Sequence, residues 1–216
     1  ATFSYAQNNF ESQWKELEKL EKEGLVKSAS ELVETIYQNA VSKNKNQQRI
    51  KALLHKSKYM LVLEEEAQLK IVKLFISEIN STENKVTKHL LQNMLATMYW
   101  QYFQQNRYKF YNRTKVSQNP SATKNEDFRT WDLETLFSEI HNYYQRSLED
   151  EVLLQNENLE NYSILINEDE NSKDYRPSLY DLLSHNALDF YKTDENSIAK
   201  PSYQFKIGDD KFFSIA

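Results

Sequence analysis

Apolar side chains recur along this 216-residue chain with the period of an α-helix, most plainly in the stretch 88–115, KHLLQNMLATMYWQYFQQNRYKFYNRTK. Leu91, Met94, Leu95, Met98, Tyr99, Tyr102 and Phe103 stand at i, i+3, i+4, i+7, i+8, i+11 and i+12, which predicts one broad buried stripe and rules out a strand. Leu90, Trp100 and Phe110 lie off that stripe, so the helix is expected to be touched on two sides and to sit at the centre of the fold. Gln92, Asn93, Thr97 and Gln101 interrupt it too often for a membrane span, which needs roughly 20 mostly apolar residues.

Four shorter helices are predicted before it, after a disordered lead-in over residues 1–8. Phe10, Trp14, Leu17 and Leu20 mark the first, and Gly24 is placed to end it in the left-handed conformation. Ser28 and Glu31 read as a capping box for the second, which carries Ala29, Leu32, Val33, Ile36, Tyr37 and Ala40. Ile50, Leu53, Leu54, Met60 and Leu61 mark a third helix; Leu69, Val72, Phe75, Ile76 and Ile79 mark a fourth, with Glu64, Glu65 and Glu66 suited to its positive end. Asn80, Ser81 and Thr82 are expected to break the chain and cap the central helix. The domain plan is thus two helical hairpins over 9–80 and a central helix over 81–115. C-terminal helices follow over 129–192, and the helical domain as a whole spans 9–200. In the C-terminal part Thr130 is the expected N-cap of one helix, and Ser178 with Asp181 the expected capping pair of the next. The polar stretch 116–128 reads as a loop. Residues 201–216 change to an alternating pattern with a Gly-Asp-Asp turn and are expected to be an extended tail leading to a following domain.

The fold class predicted is all-α: antiparallel hairpins in a repeat-like, tetratricopeptide-like array around a long central helix. Gly24 and Ala29 have the spacing of that repeat, but the second hairpin lacks both residues, so an irregular helical bundle is the alternative.

Composition narrows the chemistry. With 14 Tyr and 11 Phe the chain has bulk for a core although only 39% of it is hydrophobic. Only 2 Gly are present, at positions 24 and 208, which leaves no glycine-rich phosphate loop, dinucleotide turn or nucleophile elbow. The absence of Cys removes thiol nucleophiles, thiolate metal sites and disulfides. A net charge of −5 disfavours nucleic-acid binding through a global positive field.

Of the four His, only His185 has acidic residues one turn away on both sides, Asp181 and Asp189. Metal ligation or pH sensing competes there with an ordinary helix-face ion pair, and the ion pair is the stronger reading. Arg107, Tyr108, Lys109, Phe110, Tyr111, Arg113 and Lys115 interleave cations with aromatics as a nucleic-acid or glycan surface would. Cations at a helix C-terminus and a continued buried stripe explain the same residues more simply. No pair of carboxylates is marked out as acid and base, so no catalytic residue, metal or cofactor is expected. The candidate partner-binding surface is drawn from Trp100, Tyr108, Tyr111 and Tyr144.

Six segments in order, 14–37, 49–59, 94–114, 129–150, 176–191 and 202–213, among them WKELEKLEKEGLVKSASELVETIY and RTWDLETLFSEIHNYYQRSLED, make the chain resemble the N-terminal region of Bacteroidetes-type bacterial alpha-2-macroglobulin family proteins. The resemblance implies a non-enzymatic module of a large envelope protein engaged in protease inhibition, periplasmic or outer-membrane associated. Its protein partners would be the downstream domains of the same chain, envelope proteins or proteases. It further implies contact with the membrane only through a lipid anchor outside these residues, and with the charge as it is no nucleic-acid partner is expected. The family's thioester uses a Cys-Gly-Glu-Gln motif that has no counterpart here, so no active-site residue carries over. A stand-alone helical adaptor that binds peptides or partner proteins is the alternative.

Overall fold

The computed structural model describes residues 2–111, 126–166 and 175–193, with side chains from Phe10 onward in the first of these and through Phe110. It is all-α: among the described residues there is no strand, and the β-pairing is limited to an isolated bridge between Asn158 and Ser178.

Helices α1 (Thr2–Lys22), α2 (Val26–Ser42), α3 (Asn46–Leu63) and α4 (Ala67–Ser81) follow one another through connections so short that chain neighbours must run antiparallel, and each packs on the next. Contacts in chain order are common to a repeat array and an irregular bundle. α1 opens at Thr2, not at Asn9, so residues 2–8 are helical where the sequence predicts a disordered lead-in; nothing in TFSYAQNN, neither Gly nor Pro, stops the helix from propagating backwards. At its other end Gly24 has φ +73°, and the bonds Leu25 N–H to Leu20 O (2.9 Å) and Gly24 N–H to Glu21 O (3.1 Å) close the turn as predicted.

The cap predictions fare unevenly. α2 begins two residues before Ser28, with Leu25 as N-cap and no side-chain cap bond, so the Ser28–Glu31 box does not form. α4 opens on Glu66, which sits at φ 55° and bonds Arg129 instead of capping. The central helix α5 (Lys85–Tyr111) is capped by Asn84, whose side chain accepts the Thr87 N–H at 2.8 Å; Asn80 and Ser81 still belong to the end of α4, and Thr82 is its C-cap. Asn106, at φ −123° and ψ 20°, interrupts α5, and its Nδ2 donates to Tyr102 O at 2.9 Å. The predicted reach to Lys115 and most of the 116–128 loop lie outside the described residues.

A 3-10 turn at Phe128–Thr130 precedes α6 (Leu133–Arg146). The N-cap of α6 is Asp132, not Thr130, whose hydroxyl is spent on Asp127 O inside the turn. After the short α7 (Glu151–Gln155) and a 3-10 segment at Leu159–Leu165 comes α8 (Leu179–Tyr191), where Ser178 and Asp181 form the predicted capping box. The tail 201–216 lies outside the described residues.

Two buried clusters result. The smaller joins Phe10, Trp14 and Leu17 of α1 to Val33 and Ile36 of α2 and Tyr59 of α3. The larger surrounds α5: Trp100 lies 5.3 Å from Phe190 and 5.4 Å from Phe103, while Phe103 meets Phe137 edge-on at 4.8 Å. Such ring pairs add about 0.5–1.5 kcal/mol each beyond their burial. The helix is touched on two sides, as its wide apolar face predicts.

Polar groups tie the elements together where they are buried. Glu78 of α4 accepts from Tyr37 Oη of α2 and from Arg49 Nε of α3 at 2.7 Å. Asn93 of α5 donates to Ser147 Oγ (3.0 Å) and Leu183 O (3.1 Å) and accepts from Asn186 (2.9 Å), fixing α5 to α8. His89, one turn earlier, meets Arg146 O at 2.9 Å and Asp150 Oδ2 at 3.0 Å, where the carboxyl of Asp150 is held low by the hydrogen bonds from His89 and Lys85.

Candidate functional site

The residues proposed from sequence for a partner surface separate. Trp100 is 5% exposed and Tyr144 1% exposed, both inside the larger cluster, so neither can meet a partner. The physical reason is the same wide apolar face that makes α5 central: Phe137 of α6 packs on both Trp100 and Phe103, and Phe190 of α8 meets both Trp100 and Tyr144. Tyr108 is 64% exposed beside Lys109, whose Nζ lies 5.7 Å from its ring. The side chain of Tyr111 lies outside the described ones, as do Arg113 and Lys115. The Asp181–His185–Asp189 face does not converge: Asp181 is spent on the capping box, and no ion pair joins His185 to either aspartate. No group of three or more potential metal ligands occurs among the described residues.

What the fold creates instead is a groove along α5 that no sequence motif marks. α3 and α5 are not neighbours in the chain; α4 packs on both, and the 3-10 segment packs on α3. Two dents fill the gap. One, of about 390 Å³, has Leu54 of α3, Leu90, Met94 and Met98 of α5 and Leu182 of α8 on its walls, closed by Leu165 and Ile166. The second, of about 240 Å³, lies between Leu61 of α3, Ile71 of α4, and Tyr102 with Phe128. Met98 and Gln101 belong to both, so the two dents adjoin along α5 and together make a trough.

Three properties define its chemistry. Among the described residues no Asp, Glu, Lys, Arg or His lines it, in a chain where 27% of residues are charged. Two of the chain's 3 methionines do, and thioether side chains reshape themselves to an incoming surface. Its polar lining along α5 falls at every fourth residue: Asn93, Thr97, Gln101, Gln105. The first two are committed internally, Asn93 as above and Thr97 to Asn93 O (3.0 Å) and Tyr144 Oη (3.1 Å). Gln101 and Gln105 are exposed and bond no other side chain or backbone group among the described residues, and so does Gln68 on the facing wall. Leu61, 58% exposed, stands at the lip with Val62 and Leu63, an apolar run that α3 holds out to solvent.

A second polar cluster sits at the α1–α3 joint. Glu21 accepts from Tyr59 Oη and Lys58 Nζ (2.9 Å) with His55 Nδ1 at 3.5 Å; burial pushes its carboxyl up, but the hydrogen bonds from Tyr59 and Lys58 outweigh that and hold it low. Burial lowers His55, whose ring lies 5.2 Å from Trp14. The cluster ties α1 to α3.

None of the described helices is long and apolar enough to cross a membrane. Comparison with known proteins gives no match to a family model, to a curated protein or to a solved structure.

Proposed function

We propose that this chain is a non-catalytic helical scaffold whose work is protein contact through the trough between α3 and α5. The observation that carries the reading is the trough itself: apolar, uncharged, lined by adaptable methionines and edged by carboxamides with spare hydrogen-bonding capacity. Sites that recognise chain segments have this composition, because apolar walls supply affinity and a few polar groups fix position. The setting belongs to the same proposal: the N-terminal part of a large alpha-2-macroglobulin-like envelope protein involved in protease inhibition, for which the resemblance of the quoted segments is the support. A stand-alone adaptor would use the same trough.

The test is capture from bacterial envelope extract by the immobilised chain and by its Leu61→Glu variant. Leu61 is exposed, so the substitution leaves the fold intact while placing a charge on the lip. Proteins that the parent retains and the variant loses meet the reading. Identical retention by both, or retention by neither, refutes it. A retained species that comes from the chain's own downstream domains marks the scaffold setting, and one that comes from another protein marks the adaptor.

A further inference from the structure

We propose that the trough takes its partner as an extended, uncharged, apolar segment whose backbone is read by the glutamines of α5; this rests on the trough being the contact surface. The argument begins with spacing. Side chains four residues apart on a helix recur every 6 Å or so along its axis, since each residue rises about 1.5 Å. An extended chain rises about 3.3 Å per residue and turns the same backbone edge outward every second residue, a repeat of about 6.6 Å. Asn93, Thr97, Gln101 and Gln105 therefore present one polar group per dipeptide of a segment laid along α5.

The two members of that series with free capacity, Gln101 and Gln105, are carboxamides, which carry both a donor and an acceptor as a peptide group does. A helical occupant has its backbone groups paired internally and offers them nothing. Gln68 faces them from α4 with the same chemistry, so both edges of an inserted segment can find partners. The occupant's side chains enter the dents on either side of Met98. A charged one would be stranded there, because no ionisable side chain among the described residues lines either dent to compensate it. The lining thus selects against charge as much as it selects for bulk.

The experiment uses the intact chain and a cellulose-bound array of octapeptides, in which every position is varied over uncharged residues and, in a second panel, one apolar position is replaced by Lys or Glu. Fluorescence anisotropy then follows the best-retained octapeptide and two analogues with N-methyl groups at its odd or at its even residues. The expected result is retention of uncharged octapeptides, loss on adding Lys or Glu, and about tenfold weaker binding for one of the two N-methyl analogues. The Gln101→Leu, Gln105→Leu double variant is expected to weaken the parent octapeptide by a similar factor. Both glutamines are exposed, so circular dichroism should stay as it was. Equal binding of all three peptides, with Leu61→Glu still abolishing it, overturns backbone reading while the trough remains the contact surface. Binding that Leu61→Glu leaves untouched overturns both, as does an array from which no uncharged octapeptide is retained.

Discussion

Replacing Arg49 by Met strips Glu78 of its cation while leaving the carboxylate where it is, 8% exposed and touched otherwise by Tyr37 Oη. Arg49 itself is 15% exposed and reaches Glu78 with Nε at 2.7 Å and Ser81 Oγ with Nη2 at 3.4 Å, so the pair is largely desolvated and joins α3 to α4, with α2 attached through Tyr37. The tyrosine's own pKa is pushed up to about 12 by burial and by its bond to Glu78, so it stays a donor throughout the working range. Breaking a buried pair from one side costs about 3–5 kcal/mol, most of it the uncompensated charge. Removing both members in the Arg49→Met, Glu78→Met double variant should cost far less, because methionine fills similar volume and leaves no charge behind. Urea denaturation of the parent, both single variants and the double variant measures the coupling, expected at about 2–3 kcal/mol. Arg49→Met within about 1 kcal/mol of the parent, or a double variant equal to the sum of the singles, would refute the claim that this pair is desolvated in the folded chain.

His55 makes stability sensitive to mild acid. Burial holds it below its ordinary 6.5, so the folded chain binds fewer protons than the unfolded one below that value; stability is whole above about pH 6.5 and declines as the pH falls through the shifted range. Urea midpoints from pH 5 to pH 8 should show that slope, and His55→Leu should flatten it; a parallel slope in the variant counts against it. Ser178→Ala should cost about 1–2 kcal/mol by thermal melting, since the serine and Asp181 cap α8 reciprocally. Trp100→Ala is expected to cost about 3–5 kcal/mol, the price of a cavity among Phe103, Phe137 and Phe190, whereas Tyr108→Ala should stay within about 0.5 kcal/mol.

The period of apolar residues is enough to find the helices of this chain, because a buried stripe has to repeat every 3.6 residues whatever it packs against. Gly24 and the Ser178–Asp181 pair are equally legible, each having a geometry that few other residues can supply. The other caps are not. Ser28, Asn80 and Thr130 are chemically good caps, yet Asn84 and Asp132, of the same chemistry and only a few residues away, cap α5 and α6, while α2 begins without a side-chain cap. Trp100 illustrates a different limit: an aromatic off the main stripe is either a surface ring or the core of a second interface, and the sequence does not say which helix will arrive to cover it. The trough was legible in part. Asn93, Thr97, Gln101 and Gln105 at a four-residue interval are plain in the letters, but the space beside them is bounded by α3, α4, the 3-10 segment and α8, which come together from distant parts of the chain.

The break at Asn106 gives the central helix two mechanical parts. Up to Phe103 its residues are clamped by rings from α6 and α8, whereas the last turn leans back so that Phe110 can lie 5.6 Å from Phe103 and 6.0 Å from Tyr102. The ring of Tyr102 is thereby held from two directions, by Phe110 from beyond the break and by Phe128 at 4.8 Å from the 3-10 turn. Because Tyr102 also lines the trough, the far end of the central helix sets the position of one of its walls.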